Sequence, residues 1–145
     1  MKTIPQIQKF MTPMPHSVGA QIQLKVALEL MRTHGIRHLP VQEAGRLVGI
    51  LTDRDIKLAS SFDGAETLTV EEVMTPDPYV VTPQSPVDHV VEEMAKHKYG
   101  SALVVQENGK LVGIFTATDA LLVLSELLHK NYREAGEGRS AARSL

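Results

Sequence analysis

The chain is written twice, and that repeat constrains its fold more than any other feature. FMTPMPHSVGAQIQLKVALELMRTHG (10–35) returns as VMTPDPYVVTPQSPVDHVVEEMAKHK (73–98), shifted by 63 residues. LVGILTDRD (47–55) returns as LVGIFTATD (111–119), shifted by 64, so one residue is inserted between them near Gly100. A solenoid needs several stacked units to bury its core, and here there are two. Two copies fit a closed pair about a pseudo-twofold axis, with any cleft between matching surfaces present in two related versions. At 145 residues the chain is one ordinary domain in size. Halves of about 60 residues would be marginal alone, so they are expected to share one core.

Each copy reads as helix, strand, strand, helix, preceded by a short extended piece. Ser85 is the expected cap of the first helix in copy two, with Pro86 at its first position and Asp88 in its first turn. Val87, Val90, Val91 and Met94 then give 86–97 an apolar stripe. Leu24, Ala27, Leu28 and Met31 repeat the stripe in copy one, which ends near Gly35. Strands are expected at 36–41 and 101–106, turns at Gly45 and Gly109, and return strands at 47–51 and 111–115. Second helices follow at 53–60 and 117–132, the latter apolar on more than one face and expected to be half buried or to sit in a subunit contact. Val80–Val81 is the extended piece of copy two. Thr69 and Glu72 form a capping box for a short helix over 69–74. The proline-containing stretches at 12–15 and 75–78 punctuate the copies. Units of 5–64 and 65–133 follow, with a small, polar, flexible tail at 134–145.

The strongest local signal is Gly-x-x-Thr-x-x-Asp: Gly49, Thr52, Asp55 and again Gly113, Thr116, Asp119. A capping box at a strand-to-helix junction explains the Thr and Asp structurally. The same geometry supports binding. Free amides at a helix start attract a polar or anionic group. A carboxylate there can accept two hydrogen bonds from a ribose diol, and the glycine would let a ligand approach the strand. Thr82 offers a further hydroxyl in copy two, where copy one has Gly19. On that basis the cleft expected to hold Thr82, Thr116 and Asp119 should bind ribose better than the one holding Thr52 and Asp55. Arg37 and His38, at a strand start, are candidate phosphate contacts, with Lys98 a lesser one. His34 and His97 sit at equivalent helix ends, where a cation suits the helix dipole.

Other chemistries find little support. The formal charge is −2 and no basic stripe marks a nucleic-acid partner. The chain has no cysteine, so neither disulfides nor thiolate catalysis enters. Six histidines without a ligand pattern give no metal site. Walker, zinc and GxSxG signatures are missing, so no enzyme is expected. No apolar run nears the roughly 20 residues that span a bilayer, and the first residues do not read as a signal peptide. The reading is soluble and cytoplasmic.

Taken together, these motifs resemble a tandem cystathionine-beta-synthase (CBS) domain protein, a Bateman module. The resemblance rests on Met-Thr-Pro at 11–13 and 74–76, His38-Leu39-Pro40-Val41, the LVGILTDRD and LVGIFTATD segments, and Val81-Thr82-Pro83, and it covers roughly 5–133. It implies an α/β (α+β) fold of two small sheets packed with helices, and two clefts for an adenosine ligand: AMP, ADP, ATP or S-adenosylmethionine. No tightly bound cofactor is expected. Thr52 and Asp55, and Thr116 and Asp119, match the family's ribose contacts. Thr82 matches a polar contact that Gly19 lacks, and backbone near Leu39 and Val104 would face adenine. The resemblance also implies a homodimer and regulation through a partner or an assembly change. The alternative is a structural or interaction module whose clefts have lost their ligand.

Overall fold

A computed structural model describes residues 2–132; the expected tail at 134–145 lies outside the described residues. Two four-stranded sheets are built from β1 (Thr12–Pro13), β2 (Val18–Gly19), β3 (His38–Glu43), β4 (Arg46–Thr52), β5 (Thr75–Pro76), β6 (Val80–Val81), β7 (Ser101–Val105) and β8 (Leu111–Thr116). Their orders are β1-β8-β7-β6 and β2-β3-β4-β5. The helices are α1 (Leu24–His34), α2 (Asp53–Ala59), α3 (Val70–Val73), α4 (Val87–His97) and α5 (Ala117–Tyr132).

The sheets exchange a strand. β1, which opens the first copy, pairs with β8 of the second, and β5, which opens the second, pairs with β4 of the first. Gly113 and Gly49 make this possible, because a Cβ at Gly113 would overlap the Met11 side chain and one at Gly49 would overlap Met74 and the Thr75 carbonyl. These two glycines therefore admit the methionine of Met-Thr-Pro, where a ligand had been expected. The exchange continues outward. Ile7 N–H donates to the Ser85 carbonyl at 2.7 Å, and Val70 N–H to the Ile22 carbonyl at 2.9 Å.

Strand alternation divides the interior. Leu39, Val41 and Leu51 pack under α1 with Leu24, Ala27 and Met31, while Val104 and Phe115 pack under α4 with Val90, Met94 and Ile7. The opposite faces contribute Ile50, Leu103 and Ile114, a three-residue seam. The single shared core expected from length is thus two cores joined by a seam and by exchanged strands.

Most elements fall where the pattern placed them. Gly35, Gly45 and Gly109 all have positive φ, and Thr69 and Glu72 form the expected box. Ser85 does not cap α4. Its hydroxyl accepts from Thr82 N–H at 3.1 Å, and Pro86, extended at φ −65° and ψ 134°, is the cap residue. Strand β3 starts two residues late because Ile36 N–H still closes α1 on the Met31 carbonyl.

Candidate functional site

Strand β4 runs directly into α2, and Thr52 at the junction keeps extended backbone. Its hydroxyl accepts from Asp55 N–H at 3.1 Å, while Asp55 Oδ2 accepts from Thr52 N–H at 3.0 Å. A third group arrives from the other copy. The Thr75 hydroxyl, on exchanged strand β5, lies 3.2 Å from Asp55 Oδ1 and 3.4 Å from Oδ2. Oδ2 is fixed by Thr52 and Oδ1 by Thr75, and the remaining lone pairs of the carboxylate keep the acceptor capacity that a diol contact requires. At the second junction Asp119 Oδ2 accepts from Thr116 N–H at 2.9 Å, and Asp119 N–H donates to the Thr116 hydroxyl at 3.3 Å.

Asp55 opens onto a cavity of about 360 Å³. The first copy contributes His38, Ile50 and Thr52 to Arg54, and the second contributes Thr75, Asp77 to Tyr79 and Lys98 to Ser101. Ile50 supplies apolar floor. Tyr79 stacks on Tyr99 at 4.9 Å, and Tyr99 on His97 at 5.1 Å. Burial and the Glu93 charge hold the Tyr79 hydroxyl above its ordinary pKa, so it remains a neutral donor. The wall therefore offers carboxylate, hydroxyls, aromatic surface and cations within one small-molecule volume.

His38 joins the two junctions. Burial lowers its pKa most; Arg37 lowers it further, while Asp53, Asp119 and Asp55 oppose the shift. Carboxylates of both junctions thus act on one imidazole. Gly100 makes the space: a Cβ there would sit 2.9 Å from His38 Nε2.

Of the residues singled out by sequence, Thr52, Asp55, His38 and Lys98 line this cavity. Arg37 instead lines an apolar groove with Leu28, Ile36 and Ile56 between α1 and α2. Leu39 and Val104 are fully buried with their side chains in the two cores, outside the cavity wall. Thr82 is not brought together with Thr116 and Asp119. Val81 pairs with Val104 and Thr116 with Ser101, at opposite ends of β7. At about 3.3 Å per residue, Thr82 is more than 10 Å along the sheet from Thr116, and its hydroxyl faces Ser85 at 3.1 Å. The stronger ribose binding expected of the Asp119 cleft from Thr82 loses its basis. The hydroxyl that reaches a junction carboxylate from the other copy is Thr75, hidden in a stretch read as punctuation. Its recurrence as Thr12 was the available signal. Among the described residues, no cluster of three or more His, Asp or Glu could hold a metal ion.

The model of the CBS domain matches this chain twice, over residues 7–61 and 70–126. The chain belongs to the CBS domain family. An inosine-5'-monophosphate dehydrogenase from Korarchaeum cryptofilum is 35% identical over 118 residues, 81% of this chain but 24% of the enzyme. The chain therefore spans less than a quarter of that relative. Among solved structures, the CBS domain pair of protein MJ0100, in complex with 5'-methylthioadenosine and S-adenosyl-L-methionine, is 30% identical with a TM-score of 0.78. It covers 86% of this chain and 98% of that one. CBSX2 in complex with AMP is 26% identical with a TM-score of 0.77, covering 84% and 97%. The tandem CBS pair is thus similar over nearly its whole described length to pairs solved with adenosine compounds. Among the described residues no helix is long and apolar enough to cross a membrane.

Proposed function

We propose that this CBS pair is a regulatory module that senses an adenine nucleotide, with AMP, ADP, ATP and S-adenosylmethionine as the ligands to compare. The observation that carries the reading is Asp55, fixed by Thr52 and Thr75 from opposite copies and facing a cavity built from both. The adenosine compounds bound by the two solved relatives support it. Asp55 would accept from the ribose hydroxyls, Tyr79 would flank the base, and His38 and Lys98 would face the phosphate side. Thr116 and Asp119 form the corresponding ribose contact of a second cleft.

The cavity wall comes from two halves, so a ligand that binds one relative arrangement better than another shifts their populations. Output then passes to a partner protein or to a second copy, without catalysis by this module. A homodimer has a physical motive. Leu121, Leu122, Leu124, Leu127 and Leu128 of α5 stay about half exposed or more, a large apolar surface for a free monomer. Calorimetry with the four ligands tests the sensor; absence of binding at millimolar concentration would reject it. Sedimentation tests the dimer, and a monomer above micromolar concentration would reject that. The exposed α5 face also supports the second reading, an interaction module without a ligand, which predicts self-association and no nucleotide heat.

A further inference from the structure

The cavity that faces Asp55 has a charge of its own, and that charge bears on which adenosine compound it takes. Its wall carries three carboxylates, Asp53, Asp55 and Asp77, against two cations, Arg54 and Lys98. Burial keeps His38 uncharged near neutral pH, so it adds no third cation. Exposure tilts the balance further. Asp53 and Asp55 are half-buried, whereas Arg54 and Lys98 are exposed, Lys98 at the left-handed turn that closes α4. Water and salt screen an exposed charge more than a half-buried one, so the carboxylates weigh more than their number. Glu93 adds to them, since its charge reaches the Tyr79 hydroxyl on the same wall.

A helix start could offset this by offering free amides to an anion. Helix α2 begins at the cavity, but Asp53 N–H donates to the Arg37 carbonyl at 3.1 Å and Asp55 N–H to the Thr52 hydroxyl at 3.1 Å. Of the first-turn amides of Asp53, Arg54 and Asp55, two are therefore bonded inside the protein. Nor does backbone geometry account for the third carboxylate. Asp77 has φ 51°, yet its counterpart Met14 holds φ 45° with an uncharged side chain. We propose that the Asp55 cavity selects adenosine compounds by the charge of the 5′ substituent: it prefers a sulfonium, as in S-adenosylmethionine, to an uncharged thioether, and it disfavours a phosphate. This rests on the sensor reading and ranks the ligands that the reading leaves equal.

The test is calorimetry of the full chain with two matched pairs, for wild type and Asp77→Asn. S-adenosylhomocysteine differs from S-adenosylmethionine by the sulfonium methyl and its charge, and adenosine differs from AMP by the phosphate. Wild type should bind S-adenosylmethionine about fivefold tighter than S-adenosylhomocysteine, and AMP about fivefold or more weaker than adenosine, the scale of one screened unit charge at contact distance. Asp77→Asn keeps the shape, and asparagine tolerates left-handed backbone, so the variant should melt as wild type does. Both ratios should fall to within about twofold of unity once that charge is gone. Should the variant misfold, raising the salt on wild type takes its place, with the same narrowing expected. AMP that binds as tightly as adenosine, S-adenosylmethionine that binds no tighter than S-adenosylhomocysteine, or ratios left unchanged by the lost carboxylate overturn the charge rule alone. A wild type that binds none of the four overturns the sensor reading and the charge rule together.

Discussion

The two halves agree in their scaffold and differ at their rims. Helices α1 and α4 have 11 residues each, and both second helices begin at a Thr and Asp box. Both copies place positive φ one residue after Met-Thr-Pro, at Met14 and Asp77. Around the clefts the copies part. His16 stacks on His34 at 3.8 Å where the second copy stacks Tyr79 on Tyr99. Gly35 faces Lys98 across the repeat, and Thr75 reaches Asp55 while the bonds of Asp119 stay with Thr116. Core positions are held by close packing, in which a single methylene is felt. Rim positions face water and can change at little structural cost. A duplicated chain can thus keep one fold while the rims of its two copies diverge.

The largest effect should come where the copies exchange strands. Gly49→Ala forces a Cβ against the Thr75 carbonyl, which is backbone and cannot swing aside, while at Gly113 the crowding atoms all belong to the Met11 side chain. Gly49→Ala should therefore cost about 3 kcal/mol and Gly113→Ala about 1 kcal/mol. Denaturant unfolding of both variants checks this. Equal losses would mean that the two exchanged strands are held alike.

Asp55→Ala and Asp119→Ala separate capping from binding. Each removes a box and should lose about 0.5–2 kcal/mol of stability. Asp55→Ala should in addition weaken nucleotide binding at the cavity by about tenfold or more, the scale of one hydrogen bond to a charged group. Asp119→Ala should leave that event within about twofold, a change too small for a lost hydrogen bond. Melting temperature and calorimetry on the same preparations give both readouts. An Asp55→Ala protein with wild-type affinity would reduce Asp55 to a cap.

A smaller effect distinguishes the two Met-Thr-Pro threonines. Thr75→Val keeps the shape and removes the hydroxyl from Asp55, for a loss of about 0.5–1.5 kcal/mol in stability, affinity or both. Thr12→Val should change neither, because the bonds of Asp119 among the described residues are to Thr116. Equal effects of the two changes would show that Thr12 meets Asp119 in solution.

Periodicity made the helices and return strands legible, and the capping boxes at Asp55 and Asp119 could be read from spacing alone. Which copy completes which cleft could not. That depends on β1 and β5 crossing between sheets, and two-residue strands leave no periodic trace. The misplacement of Thr82 has the same origin, since adjacency in a repeat says nothing about position along a sheet. Gly100 looked like a gap in the alignment, and its purpose, space for His38, exists only once the halves meet. The strain at Lys98 was likewise hidden, because lysine gives no sign of left-handed backbone.

The smallest expected effect tests the one side chain that the two junctions share. The folded state holds the pKa of His38 below its ordinary value, chiefly through burial. In the unfolded chain it returns to near 6.5. Between the folded and unfolded values the unfolded state binds more protons, so stability rises with pH through that window. The His38 contribution is complete above about pH 6.5 and is lost as pH falls through the folded value. His38→Gln cannot take up the proton and should show a flatter stability profile on the acid side, with the curves parallel above neutrality. Urea unfolding of both proteins at closely spaced pH values measures the slopes. Parallel slopes below pH 6.5 would show that the imidazole is as free to ionise in the fold as in the unfolded chain. A steeper wild-type slope that disappears when nucleotide is bound would show more: the ligand's negative charge has raised the His38 pKa toward its unfolded value, which places its phosphate beside the imidazole on the wall of the Asp55 cavity.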